Sequence, residues 1–241
     1  MTPPEKTDSR TILLTGGTGY LGSRLLAKLL DTHKNIVLLK RSTSDLGRIR
    51  GLLGKVSVYD IDRDPLELAF KENVVDCIIH CAAEQGKRLH DPNILVESNL
   101  RFPLKLLQLG WEHKVTCFIN ADTILDKSVN AYALSKHQFR EWLYFYSAKM
   151  TCLNVAMELF YGPGDQQEKF VTFVVRELLR NAEVIELTPG EQKRDFVYVD
   201  DVVSAFLKII DHSRSLGRGY RHYAVGTGQA MTIRDIVTMI K

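Results

Sequence analysis

The stretch Thr11-Ile12-Leu13-Leu14-Thr15-Gly16-Gly17-Thr18-Gly19-Tyr20-Leu21-Gly22 decides how this 241-residue chain folds. Its first five residues are apolar or β-branched and read as a short buried strand. Beyond Gly22, Leu25, Leu26, Leu29 and Leu30 continue from Leu21 along one helical stripe, with Arg24 and Lys28 off it. Three glycines spaced by three therefore join a strand to a helix. Gly16 permits a tight turn, Gly19 lets backbone approach an anion, and Gly22 lets the helix pack close to the strand. The unpaired N–H groups of the first helical turn face that anion, read here as a dinucleotide diphosphate. A glycine-rich turn with no ligand is the plain alternative. The polar arm from Met1 to Arg10 is expected to be disordered.

The same alternation continues along the chain. Asn35 to Leu39, Val56 to Tyr59, Val74 to Ile79, Val115 to Ile119 and Leu153 to Met157 read as strands separated by helical patterns. Such alternation predicts an α/β, Rossmann-like doubly wound parallel sheet. Lys40-Arg41-Ser42 follows the second strand, where an NAD enzyme usually places an acid for the ribose 2′-hydroxyl. Two cations there attract a 2′-phosphate, so NADP(H) is expected over NAD(H), unless both are simply solvated. A helix from about Asn93 to Trp111 should be kinked by Pro103. A later helix, about Asn130 to Ala148, carries Tyr132 and Lys136 on one face. An ammonium beside a phenol favours the phenolate and shifts it toward the working range. Hydride transfer with Tyr132 exchanging the oxygen's proton is the chemistry this pair predicts.

Thr15-Gly16-x-x-Gly19-x-x-Gly22, Tyr132-Ala133-Leu134-Ser135-Lys136 and Arg194-Asp195-Phe196-Val197-Tyr198-Val199-Asp200 resemble the extended short-chain dehydrogenase/reductase family. The resemblance runs through nearly the whole chain and is nearest to nucleotide-sugar 4-keto reductases of the CDP-abequose-synthase type. It implies that Gly16, Thr18, Gly19, Tyr20, Leu21 and Gly22 hold the cofactor diphosphate, with Lys40 and Arg41 at the ribose. It places Asp60 and Ile61 at the adenine, and Cys81, Ala82 and Ala83 in a turn under the cofactor. Asn99 would bond the strand carrying the active site, and Lys136 would also hold the nicotinamide ribose. Glu84, Asp122, Tyr161 and Arg194 are implied substrate residues, with Arg194 on a sugar-nucleotide diphosphate. The family's catalytic Ser or Thr falls at Ala121, and Thr123 either replaces it or is a turn residue. Thr123 also stands where related dehydratases carry Glu, which disfavours dehydration. Residues 1–160 are expected to form the NADP(H)-binding part and 161–241 a substrate lobe interleaved with the last sheet strand. Asp200 and Asp201 are expected to cap the helix through Ile210. A nucleotide-sugar 4-epimerase holding NAD and a non-catalytic NADP(H)-binding sensor or scaffold remain the alternatives.

With 45% hydrophobic residues the chain can bury one large core. Net charge is +3, and no basic run is interleaved with aromatics, so nucleic acid is not an expected partner. No signal peptide or long apolar span is evident, which predicts a cytoplasmic protein that does not bind membranes. Cys77, Cys81, Cys117 and Cys152 lack metal-ligand spacing and read as reduced core residues, so no metal site is expected. Leu104 with Leu107, or Trp142 with Phe145, either form a homodimer face or belong to the core. Relatives usually continue beyond Lys241. Ile233, Ile236, Val237 and Ile240 make an apolar face needing a partner, so the C-terminus is expected to be truncated.

Overall fold

The computed structural model describes residues 8–86 and 91–241. Its centre is β1 (Asp8–Thr15), flanked by β2 (His33–Lys40) and β4 (Cys77–His80). With β3 (Ser57–Asp60), β5 (Cys117–Thr123), β6 (Thr151–Met157) and β10 (Gly219–Val225), these form one sheet. Its order is β10-β6-β5-β4-β1-β2-β3, and every pair is parallel. The order reverses beside β1, which leaves a crevice at the carboxyl ends where the first and fourth strands diverge.

Helices cover both faces, as an all-parallel sheet requires. Side chains such as Leu14, Ile79, Ile119 and Val155 pack on one face with α1 (Tyr20–Thr32) and α7 (Val199–His212). Leu13, Ile78, Phe118 and Cys152 pack on the other with α2 (Leu66–Glu72), α4 (Phe102–Glu112) and α5 (Ala131–Tyr146). Outside the sheet, β7 (Leu159–Tyr161) pairs with β9 (Phe196–Tyr198), and β8 (Lys193–Arg194) pairs with β11 (Met231–Thr232). These short pairs, with α6 (Phe170–Leu179) and α8 (Ile233–Ile240), make up the C-terminal lobe.

Several sequence expectations need correction. Asp8 to Arg10 are not disordered but belong to β1; residues 1–7 of that arm lie outside the described residues. The Arg10 guanidinium donates to the Ile210 carbonyl and to Ser213 Oγ, both at 3.2 Å. A cation there satisfies the last carbonyls of α7. The fifth strand runs on through Asn120-Ala121-Asp122-Thr123, because β6 pairs with it in register as far as Thr123 opposite Met157. The long helix is α3 (Pro92–Val96), a π-turn over Glu97–Arg101, and then α4. Pro103 has no N–H and sits in the first turn of α4, directly after that widened turn. Asp200 and Asp201 do not cap α7: Tyr198 is the capping residue and bonds nothing with its side chain. Asp200 instead pairs with Arg24 of α1 at 3.0 Å.

Candidate active site

A cleft of about 800 Å³ opens at the carboxyl ends of β1, β4, β5 and β6, between the sheet and the C-terminal lobe. Gly16, Gly19, Tyr20, Leu21, Gly22, Cys81 and Ala83 line one side of it. Ala121, Asp122, Thr123 and Tyr132 line the middle, and Tyr161 and Arg194 the far side. Residues as far apart in sequence as Gly16 and Arg194 therefore share one cavity. Another cleft, about 510 Å³, lies at the opposite ends of β1 to β3 beside Thr11, Asn35 and Ser57.

The glycine loop packs closer than any residue with a Cβ would allow. Gly16 has φ +71°, and a Cβ there would lie 2.5 Å from the Ala82 nitrogen. A Cβ on Gly22 would lie 2.1 Å from the Gly16 carbonyl oxygen, so only glycine lets α1 approach the turn. The Gly19 N–H is spent on the Gly16 carbonyl at 2.9 Å, while the exposed Gly19 backbone faces the cleft. The first turn of α1 then presents its N–H groups there. Ala82 packs against Gly16, and its N–H donates to Thr15 Oγ1 at 3.3 Å. These residues fit a dinucleotide diphosphate.

At the end of β2 the expected cofactor residues contact one another. Lys40 Nζ pairs with Asp60 Oδ2 at 2.7 Å, and Ser42 Oγ donates to the same carboxylate. Lys40 is thus held by Asp60, the residue assigned to the adenine, which its ammonium keeps below the usual carboxylate range. Arg41 is exposed, and its backbone N–H donates to Ser44 Oγ. Ile61 is half-buried against the second core cluster, with its N–H on the Lys40 carbonyl.

Tyr132 and Lys136 sit on α5, whose N-terminus is capped by Asn130 through the Ala133 N–H at 2.8 Å. Lys136 is only 1% exposed. Burial pushes its ammonium down, Asp122 and Cys81 oppose that shift, and Arg140 adds to it. The Tyr132 phenol is pushed up to about 12, first by burial and then by the Asp122 carboxylate. The expectation that Lys136 lowers it is therefore corrected: burial and the Asp122 carboxylate both disfavour the phenolate. Asn99 also departs from its expected partner. Its Nδ2 donates to the Glu84 carbonyl and Ser135 Oγ, and its Oδ1 accepts from the Glu84 N–H, all at 2.8–2.9 Å. Ser135 Oγ in turn donates to the Tyr132 carbonyl at 2.7 Å. Asn99 thus braces the loop after β4 against α5 rather than the fifth strand. Glu84 turns its own carboxylate back onto the Gly86 N–H, away from the assigned substrate role.

The alternation of β5 sends Ala121 and Thr123 to one face and Asn120 and Asp122 to the other. Thr123 lines the cleft, and its Oγ1 accepts from the Leu125 N–H at 3.2 Å, leaving the hydroxyl proton to donate. Asp122 belongs to the opposite face, its side chain fully buried. Its carboxylate takes Arg140 at 2.7 Å, Asn154 Nδ2 at 2.7 Å and the Thr123 N–H at 2.8 Å. A carboxylate so fully occupied by protein donors does not fit the substrate role assigned to it. Arg194 is exposed on the cleft wall, with Nη1 on the Lys193 carbonyl, and Tyr161 meets Phe196 and Tyr198 edge-on. Sequence reading missed Asn120, Arg140 and Asn154; for the two asparagines, a polar residue inside an otherwise apolar strand was the available signal, and for Arg140 on α5 there was none. It also passed over Glu158, whose carboxyl lines the cleft and is raised by burial, then by Asp195.

Comparison with known proteins agrees with this geometry. Residues 12–226 match the NAD dependent epimerase/dehydratase family. CDP-abequose synthase of Salmonella typhimurium is 28% identical over 247 residues, covering 95% of this chain and 79% of that protein. Among solved structures, the ADP-L-glycero-D-manno-heptose-6-epimerase of Helicobacter pylori superposes with a TM-score of 0.80 at 25% identity, covering 99% and 83% of the two chains. The UDP-glucuronic acid 4-epimerase of Bacillus cereus in complex with NAD gives 0.82 at 20% identity, covering 95% and 81%. With its glycine loop, its Tyr132–Lys136 helix and a family match over most of its length, the chain belongs to the NAD dependent epimerase/dehydratase family of NAD(P)-dependent enzymes.

Proposed function

We propose that this protein is an NADPH-dependent reductase of a 4-keto nucleotide sugar, serving deoxysugar or surface-polysaccharide synthesis. The observation that carries the reading is a single cleft that joins the glycine loop to Tyr132, Thr123 and Arg194, so that a nicotinamide cofactor and a nucleotide-linked sugar can meet there. A phenol protonated at neutral pH can give its proton to a carbonyl oxygen. When bound, the reduced nicotinamide would supply the hydride. Tyr132 then donates the proton, Thr123 offers a second hydrogen bond to the oxygen in place of Ala121, and Lys136 holds the cofactor ribose. Arg194 presents a permanently charged guanidinium to the substrate diphosphate. Preference for NADPH rests on Arg41, with Lys40 neutralising Asp60, while Asp62 at that corner accepts from the Ser42 N–H. The similarity to CDP-abequose synthase supports the keto-sugar reading.

In this reading residues 1–160 serve the cofactor and 161–241 the substrate. The exposed Trp142 and Phe145 on α5, beside Trp111 on α4, form a homodimer face, whereas Leu107 is core. The protein works in the cytoplasm; no helix among the described residues is long and apolar enough to cross a membrane. A second reading, a 4-epimerase with bound NAD, is favoured by Asp60, an acid at the very corner where an NAD ribose would sit. Turnover settles the matter. NADPH oxidation with a panel of CDP-, dTDP-, UDP- and GDP-4-keto-6-deoxysugars should succeed with one nucleotide and be lost in Tyr132→Phe. Co-purified NAD with interconversion of 4-hydroxyl epimers would overturn the reductase. NADPH binding without turnover on any sugar would leave a sensor or scaffold.

A further inference from the structure

One register row of the sheet is polar across five adjacent strands of the seven. Thr15, His80, Asn120, Asn154 and His222 are register partners on β1, β4, β5, β6 and β10. The neighbours Ile79, Phe118, Ile119, Leu153 and Val155 are buried and apolar, as the interior of a parallel sheet ordinarily is. A buried polar row is costly unless its groups are bonded, so the direction of each bond is informative.

At one end, the Asp122 carboxylate can only accept. Asn154 Nδ2 donates to it at 2.7 Å, which turns Asn154 Oδ1 toward Asn120. Asn120 Nδ2 donates to that oxygen at 2.8 Å, which turns Asn120 Oδ1 toward α5. There Lys136 Nζ, which can only donate, meets it at 3.5 Å. Both ends have fixed polarity, so a single orientation of the two amides satisfies the whole chain. Reversing either one sets N–H against N–H and carbonyl against carbonyl. The second Asn154 proton meets His222 Nδ1 at 3.1 Å, which suits an unprotonated ring nitrogen. Among the described residues, Lys136 has Asn120 Oδ1 as its acceptor and no carboxylate within ion-pair range. A buried ammonium in that position tends to lose its proton. The groups facing it are Tyr132 and Arg140 on α5, Asp122 on β5, and His80 and Cys81 at the end of β4.

We infer that Asp122 and Asn154, acting through Asn120, form an oriented hydrogen-bond chain that aims and holds the Lys136 ammonium, so that Asn154 is a positioning residue. The inference rests on the roles proposed above for Tyr132 and Lys136. Neither Asn120 nor Asn154 lines the cleft, so neither would touch cofactor or substrate directly.

The test is the pH dependence of nicotinamide binding by the full chain. NADPH and NADH fluorescence are titrated from about pH 6 to about pH 10, a range that spans the loss of a depressed lysine proton. Asn154→Leu should move the binding midpoint down by about one pH unit, which is about a fivefold loss of affinity at the wild-type midpoint. Asn154→Gln, which keeps an amide, should restore part of the shift. Asn120→Asp places a carboxylate directly against the ammonium and should move the midpoint up. With a turned-over sugar, Asn154→Leu should lower kcat and leave KM for the sugar unchanged. A folded Asn154→Leu with the wild-type midpoint overturns the inference, as does a downward shift in Asn120→Asp. Should Asn154→Leu not fold, the direction of the Asn120→Asp shift decides. Tyr132→Phe keeps the two proposals apart: retained turnover defeats the reductase reading, whereas lost turnover with an unmoved Asn154→Leu midpoint defeats only the chain. A wild type that binds neither nucleotide defeats both.

Discussion

Arg140→Leu removes the cation from a carboxylate that has no access to water. Asp122 has a side chain 0% exposed, against 21% for Arg140, and the pair meets through both Nε and Nη2 at 2.7–2.9 Å. Breaking a buried pair by removing one partner costs about 3–5 kcal/mol, because the other charge is left uncompensated. Asp122 keeps its bonds from the Thr123 N–H and Asn154 Nδ2. Water can also follow where the partly exposed guanidinium was, so the lower end, about 3 kcal/mol, is the expected cost. For a chain of this size that lowers Tm by about 6–12 °C. Thermal unfolding followed by circular dichroism measures it, with loss of Trp111 and Trp142 fluorescence structure as a second probe. The cycle is closed by Asp122→Asn. Combined with Arg140→Leu, it should recover more than half of the loss, since a neutral amide there needs no cation. An Arg140→Leu protein within about 0.5 kcal/mol of wild type, the range of ordinary surface changes, refutes the argument. So does a double variant no better than the single one.

Two other expectations follow from the same geometry. Gly22→Ala puts a methyl 2.1 Å from the Gly16 carbonyl. It should push α1 off the turn and abolish nicotinamide binding in a fluorescence titration, even where the protein remains folded. Tyr132, whose phenol is raised to about 12 by burial and then by Asp122, ionises more readily in the unfolded chain, near about 10. It therefore contributes stability that is complete below pH 10 and is lost as pH rises toward 12. Tyr132→Phe should lose less stability over that window than wild type in alkaline denaturation curves, and equal loss in both would contradict the assigned burial.

How much of this was legible in the sequence depends on how local the cause is. The loop from Gly16 to Gly22 declares itself because its glycines answer to contacts within a single strand–turn–helix unit. The spacing of Tyr132 and Lys136 is likewise a property of one helix. From sequence the fifth strand spans Val115 to Ile119, because nothing local in Asn120-Ala121-Asp122-Thr123 is strand-like. Only the ladder with β6 extends it. Lys40 looked like a ligand for phosphate because its partner, Asp60, is 20 residues away and becomes its neighbour only across the β2–β3 register.

Sequence alone therefore determined the fold class, the glycine loop and the shared face of Tyr132 and Lys136, since periodicity and glycine spacing act over a few residues. Which face each polar side chain takes was decided by tertiary structure. Asp122 could have been a substrate ligand or a buried anchor, and the choice fell to Arg140 on one helix and Asn154 on the next strand. Burial did the same for Tyr132. A phenol's proton affinity depends on how much water surrounds it, and no neighbour in sequence sets that. Packing of α5 against the sheet does.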